Sequence, residues 1–189
     1  MTRDEILTAA AQIFSQKGFH AASMQDIAQA VNLQKASLYH HVSSKQEILL
    51  ALLDRALDLL IEHIEGVTSK PLPPDEKLKQ AMQAYLQAML DHREMAAVLL
   101  LEHRSLEPDL HARHTIRRDR FERLWRDLIQ EGLEGGIFYA PDPALAGRAL
   151  LGAMNWTITW YRPEGKLNPQ EIAVGYAGQF LQGLLARGD

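Results

Sequence analysis

The chain has 189 residues, 47% of them hydrophobic, enough to bury a real core in one large helical domain or two modest ones. With no cysteine, it can hold no structural disulfide, no Cys-ligated zinc and no thiol redox sensor, although a metal site of histidines or carboxylates stays open. A net charge of −4 argues against indiscriminate nucleic-acid binding, because such affinity rests on neutralising phosphates.

No stretch approaches the roughly 20 uninterrupted apolar residues of a membrane span. The N-terminus lacks a basic region followed by an apolar one, so a cytoplasmic protein is expected. The first helix ends in F-S-Q-K-G-F at Phe14 to Phe19. Three helix starts nearby carry the same chemistry: Thr2 with Glu5, Ser23 with Asp26 and Ser44 with Glu47 each pair a hydroxyl with an acid at the third helical position.

From Ser23 to Leu49 the pattern is two short helices joined by a tight turn, then the start of a third. Ile27, Ala28 and Val31 fall on one face, Asn32 tolerates the left-handed backbone a break requires, and Leu33 anchors the turn. The next helix is expected over about Lys35 to His41, with Ala36 and Leu38 inward and Lys35, Ser37, Tyr39 and His40 outward. This is the layout of a DNA-reading helix-turn-helix, and the outward set suits phosphates and base edges. Lys45, at the start of the following helix, sits where exposed amides favour a phosphate; ordinary capping beside a solvated lysine is the plainer alternative.

The string M-x-D-I-A-x-x-V-x-L-x-K-x-S-L-Y-x-H-V-x-S-K-x-E-I-L, from Met24 to Leu49, resembles the N-terminal signature of the TetR family of transcriptional repressors. The resemblance extends in order over about Ile6 to Leu53. Gln34 stands where that family usually has Ser or Thr capping the recognition helix, and His41-Val42 stands where an aromatic followed by Phe is commoner. The resemblance implies DNA contacts by Ser23, Gln25, Lys35, Ser37, Tyr39, His40 and Lys45. It also implies a domain division at 1–47 for DNA reading and 48–189 for ligand binding and dimerisation. The bases Arg3, Lys17, Lys35 and Lys45 are balanced by Asp4, Glu5, Asp26 and Glu47, so a single copy should bind weakly. A homodimer meeting a near-palindromic double-stranded operator, with major grooves roughly 34 Å apart, is the natural remedy.

The rest of the pattern is helical, giving an all-α fold of about nine helices. A fourth helix from Lys45 to about Glu65 follows the stripe Ile48, Leu49, Leu52, Leu53, Leu57, Leu60, Ile61 and Ile64, and should stop at Gly66 before the prolines Pro71, Pro73 and Pro74. Further helices are expected at about Asp75–Asp91, His92–Arg104, Pro108–Glu134, Pro143–Tyr161 and Pro169–Arg187. Asp142-Pro143 and Asn168-Pro169 supply caps, and Gly135-Gly136 and Arg162 to Gly165 the stops.

The last two helices carry Gly147, Gly152, Gly175, Gly178 and Gly183 among large apolar residues. Interior glycines cost about 1 kcal/mol each relative to alanine, so either close helix approach between subunits or close packing within one core must offset them. Gly152, Ile158, Tyr176, Phe180 and Leu184 are the candidate dimer contacts, as the terminal helices of TetR-like proteins imply. Tyr85, Met89, Phe121, Trp125, Asn155, Trp156 and Trp160 could line an effector pocket or simply fill a core. The string N-W-T-I-T-W-Y-R-P-E-G from Asn155 resembles TetR-like regulators of fatty-acid, sterol or aromatic-acid breakdown, which implies a small-molecule inducer such as an acyl-coenzyme A thioester and no resident cofactor. Arg117, with Arg113, Arg118, Arg120, Arg123 and Arg126, could meet the phosphates of such a molecule or form a solvated, ion-paired face.

His111 and His114 are spaced for two metal ligands, but no third ligand is fixed, so no metal is assigned. No catalytic residue is assigned either, since no nucleophile elbow, glycine phosphate loop or H-E-x-x-H pair is present. The remaining alternative is an all-helical small-molecule or acyl-chain binding protein without DNA activity.

Overall fold

A computed structural model describes residues 2–140 and 142–184. Among these residues it has nine α-helices and no strand: α1 (Arg3–Lys17), α2 (Met24–Ala30), α3 (Lys35–Leu38), α4 (Lys45–Thr68), α5 (Pro74–Asp91), α6 (Arg93–Leu101), α7 (Pro108–Glu134), α8 (Pro143–Trp160) and α9 (Pro169–Leu184). A 3-10 turn, His103–Ser105, lies between α6 and α7. No helix among the described residues is long and apolar enough to cross a membrane.

The contacts divide the chain into two compact units, Met1–Asp58 with His92–Arg118, and Leu59–Asp91 with Asp119–Asp189. In the first unit α1 packs on α6 and α2, and α2 on α3. Ile6, Ala10 and Phe14 of α1, Ile27 and Ala28 of α2, Leu38 of α3 and Ile48, Leu49 and Leu53 of α4 are buried together in its core. Phe14 meets Phe19 edge to face at 5.3 Å, which closes the α1–α2 loop over that core. The segment 1–47 lies within this unit, which also includes the first part of α4, α6 and the start of α7.

In the second unit α5 packs on α9 and α8, burying Leu78, Met82, Tyr85, Leu86 and Met89. Lys77, itself buried, has its ammonium 2.7 Å from the Glu131 carboxylate of α7. Phe138 folds back so closely on α7 that a Cβ at Gly132 would lie 2.0 Å from its ring.

The helix starts follow the chemistry of their caps. Thr2 and Glu5 form a reciprocal capping box, as do Ser23 and Asp26. At α4 the box is displaced by one residue: the Glu47 amide donates to Ser44 Oγ at 3.0 Å, but its carboxylate accepts from the Ser43 amide at 2.6 Å. Asp142 accepts from the amides of Ala144 and Leu145, with Pro143 at the first helical position, and Asn168 and Glu171 exchange bonds of 2.8 and 2.9 Å. Asn32 does adopt positive φ, at 54°.

Two elements differ from expectation. Helix α4 continues past Gly66 to Thr68, because Ile64 and Val67 are both buried and hold one more turn. Helix α3 ends at Leu38, three residues early, and residues 39–41 form a turn. Gln34 makes no side-chain cap to it, and a single helical turn is all that Leu38 and the following buried Val42 require. The expected end of α9 at Arg187 lies outside the described residues.

Candidate functional site

The buried anchors of α2 and α3 determine which side chains remain outside. With Ile27, Ala28 and Leu38 held in the core, Gln25, Lys35, Tyr39 and His40 are exposed on the first unit, with Ser37 half-buried between them. Tyr39 is 46% exposed, so its ring and hydroxyl are open to solvent. Ala36, expected inward, is exposed, because a one-turn helix shields only Leu38 on that side; His41 is exposed too.

Two other residues expected at a DNA surface are committed to the fold itself. Ser23 Oγ accepts from the Asp26 amide at 3.1 Å and donates to the Asp26 carboxylate at 2.6 Å. The Lys45 ammonium donates to the carbonyls of Phe19 and Ala22, at 2.8 and 2.7 Å, and lies 4.4 Å from the centre of the Phe19 ring. It is therefore turned inward as a clasp on the α1–α2 loop, bridging two of its carbonyls. Lys17 is paired with Asp26 at 2.8 Å and Arg3 with Glu47 at 3.0 Å. Among the described residues of the 2–47 segment, Lys35 is the only lysine or arginine with neither a hydrogen bond nor an ion pair.

These pairs shape the local electrostatics. The Lys17 ammonium and the Ser23 hydroxyl and amide hold the Asp26 carboxyl far below its ordinary range. The Ser43 hydroxyl and amide, helped by Arg3, hold Glu47 down, and the Thr2 amide does the same for Glu5. The α2–α3 surface thus sits on helix ends whose acids remain ionised and capping.

Residues that local sequence patterns did not single out tie this surface to the rest of its unit. The Gln46 amide donates to the Ser105 carbonyl at 2.9 Å and its oxygen accepts from the Glu107 amide at 3.1 Å. No local signal marks this clip, since its two ends are fifty-nine residues apart. Farther along α4, Asp54 and Asp58 both face Arg117 of α7, with Asp54 3.4 Å from its Nε. His114 is 1% exposed, with Nδ1 3.8 Å from Asp54 Oδ1. His103, half-buried near Arg104, His114 and Arg118, is held below the ordinary imidazole range, first by burial and then by those neighbouring charges.

The expected effector residues separate into three groups. Tyr85, Phe121 and Trp125 form one aromatic cluster in the second unit: Tyr85 stacks on Phe121 at 5.8 Å and meets Trp125 edge to face at 5.7 Å. The Tyr85 hydroxyl donates to Asn155 Oδ1, and burial raises the phenol well above its ordinary range, so it remains a neutral donor. Met89 is buried on the same helix as Tyr85, and the fully buried Trp125 indole N–H has no hydrogen-bond partner. Arg117 does not join this cluster. It belongs to the first unit, where the two α4 aspartates draw it.

Trp156 and Trp160 also leave the group, being 67% and 41% exposed. They share a face of α8 with Leu145 and Gly152, turned away from the α8 residues Leu150, Met154 and Thr157 that enter the core. A Cβ at Gly152 of α8, or at Gly175, Gly178 or Gly183 of α9, would meet nothing within 4 Å, so core packing does not explain these four glycines. Gly147 differs, being buried against Ile129 and Trp125. Ile158, Tyr176 and Phe180 are half-buried, and the side chain of Leu184 lies outside the described residues.

Comparison with known proteins accounts for this arrangement. Residues 6–52 match the family described as bacterial regulatory proteins, tetR family, and residues 71–184 match the tetracyclin repressor-like C-terminal domain. The chain is 29% identical over 188 residues to the HTH-type transcriptional repressor KstR2 of Mycobacterium tuberculosis strain H37Rv, covering 98% of this chain and 94% of that one. The crystal structure of the TetR family transcriptional regulator PfmR from Thermus thermophilus superposes with a TM-score of 0.87 at 38% identity, covering 94% and 97% of the two chains. AibR, solved in complex with isovaleryl coenzyme A and operator DNA, superposes with a TM-score of 0.85 at 28% identity, covering 94% and 96%. With matches over both its DNA-reading segment and its body, the chain belongs to the TetR family of transcriptional regulators.

Proposed function

We propose that this regulator is a homodimeric repressor that binds a near-palindromic operator and releases it when a small-molecule inducer, an acyl-coenzyme A thioester, enters the body. The observation that carries the DNA part is the exposed set Gln25, Lys35, Ser37, Tyr39 and His40 held over a fully apolar anchor at Leu38. In this reading Lys35 and Ser37 address base edges, while Tyr39 and His40 address phosphate oxygens. Ser23 and Lys45 act one step back, fixing α2 and the α1–α2 loop through their own hydrogen bonds.

The exposed apolar stripe Leu145, Gly152, Trp156 and Trp160 on α8, with Val174 and Gly178 on α9, is the proposed subunit interface. A glycine-lined helix face lets two backbones approach closely, and two tryptophans supply large apolar area. The inducer reading draws on the Tyr85, Phe121, Trp125, Met89 and Asn155 core, which pairs apolar walls with an unpartnered indole N–H. It also draws on AibR, which was crystallised with a coenzyme A thioester. An inducer need only favour one conformation by about 1 to 3 kcal/mol to weaken operator affinity roughly 5- to 150-fold. No catalytic chemistry is assigned.

The test is a gel-shift titration with DNA from the regulator's own upstream region, in the presence and absence of acyl-coenzyme A thioesters of graded chain length. Saturable binding that falls with salt and is released by a thioester is expected. A protein that binds thioester but ignores every upstream fragment would sink the repressor reading.

A further inference from the structure

The arginines of α7 do not act as one surface. Arg117 is held by Asp54 and Asp58, and Arg120 by Glu65 at 2.6 Å. Arg123 and Arg126 instead open into a cleft of about 300 Å³ in the second unit, where Arg148 of α8 joins them across a floor of Gly147 and Leu151. Arg148 is far from the α7 cluster in sequence, and only the fold brings it there.

We propose that this cleft is a phosphate-binding subsite, taking a phosphomonoester or diphosphate group of the effector. Among the described residues, Arg123 and Arg148 have no hydrogen-bond or ion-pair partner, and Arg126 has only Asp127 at 3.8 Å. Three guanidinium groups lining one cleft, none of them in a bidentate fork with a carboxylate, suit an oxyanion that accepts paired N–H bonds. Asp119 and Glu122 also line the cleft, and neither is without an interaction of its own. Asp142 already accepts from the first free amides of α8, so the guanidinium groups rather than the helix end would carry the recognition.

Gly147 is part of the apolar floor beneath these groups. Glycine is disfavoured inside a helix, yet here a Cβ would make only ordinary contacts, 3.7 Å from Ile129 and 4.0 Å from Trp125. Those neighbours, Ile129 and Trp125, do not line the cleft, so the three arginines alone carry the recognition. The volume lies at the lower end of the roughly 300 to 1,000 Å³ of ligand pockets, fitting one phosphorylated end of a molecule rather than a whole coenzyme.

This inference rests on the thioester reading above, and the experiment separates the two. Calorimetry on the full-length protein uses coenzyme A, dephospho-coenzyme A, inorganic pyrophosphate and an acyl-coenzyme A, with the parent, Arg123→Gln/Arg148→Gln, and Arg120→Gln as control. The double variant should lose at least tenfold in coenzyme A affinity while binding operator as the parent does, and the control should change less than threefold. Coenzyme A binding within twofold of the parent in the double variant, with acyl-coenzyme A still releasing operator, overturns the cleft and leaves the thioester reading standing. Pyrophosphate binding that depends on Arg123 and Arg148, in a protein that no thioester releases from DNA, supports the cleft and overturns the thioester reading. No binding of any phosphorylated probe to the parent overturns both.

Discussion

Lys45→Met separates the phosphate role that sequence suggests for this ammonium from the clasp that the structure gives it. The structure commits that group to the Phe19 and Ala22 carbonyls at 2.8 and 2.7 Å and to the face of the Phe19 ring at 4.4 Å. Hydrogen bonds to a charged group contribute about 1.5 to 3 kcal/mol each and an exposed cation–π contact about 0.5 to 1. Water can replace the ammonium at partly open carbonyls, and methionine keeps the packing of the stem, so the net expected loss is about 2 to 3 kcal/mol. For a chain of this size that corresponds to a fall in Tm of roughly 5 to 10 °C. Operator affinity should drop as the α1–α2 loop loosens, but the slope of log affinity against log salt should stay within error of the parent. A phosphate-bound lysine behaves differently: its removal lowers the slope by about 0.9 for each phosphate it had neutralised. Urea titration and gel shifts at several salt concentrations decide the matter. Stability unchanged to about 0.5 kcal/mol, together with a slope reduced by about one or two, would refute the clasp.

Gly132→Ala should destabilise the protein by about 1 to 3 kcal/mol in chemical denaturation, since its Cβ would lie 2.0 Å from the Phe138 ring. Adding Phe138→Ala should make the glycine change nearly neutral, and an additive double variant would deny the contact. Stability should decline in two pH windows. Below the ordinary imidazole value of 6.5, His103 resists protonation when folded but not when unfolded, so stability falls as pH drops and His103→Gln flattens that limb. Below about 4.5 the depressed carboxyl of Glu47 gives a further loss that Glu47→Gln removes, read from thermal melts across pH. Trp156→Glu places a charge at a position 67% exposed on a single subunit; light scattering should report monomers with unchanged helix content, whereas an unaltered dimer would move the interface elsewhere.

Legibility followed locality. Helix α7 begins at Pro108 and ends at Glu134 as its proline start and paired-glycine stop predict, and the caps at Thr2, Ser23, Asp142 and Asn168 lie within three residues of their partners. Positive φ at Asn32 was readable for the same reason. Direction was not legible. Periodicity places Trp156 and Trp160 on one face, but it is equally satisfied by a face turned inward or outward, and the helix turns them out. Arg117 and Arg123 are six positions apart with similar surroundings in sequence; α4 supplies aspartates to the first, while α8 brings a third arginine to the second. Gln46, Asp54 and Arg148 acquire meaning only from partners that the fold brings from distant parts of the chain.

The charge arrangement of the reading segment supports the homodimer proposed above. Its lysines and arginines were balanced by acids in sequence, and the structure goes further by engaging Arg3, Lys17 and Lys45 within the unit, leaving Lys35 as the unengaged cation among them. In the proposed reading, phosphate contacts then come chiefly from neutral donors such as the Tyr39 hydroxyl, which release few counterions and add little non-specific affinity. One subunit alone would therefore hold DNA loosely, and the ion pairs that weaken it also keep α2 and the α1–α2 loop in one geometry. Specific binding has to arise from two such surfaces at a fixed separation, so a small change in that separation costs most of the affinity. In the proposed reading, a weakly charged reading head makes operator occupancy depend on geometry, which an inducer in the body would alter, rather than on bulk charge, which it would not.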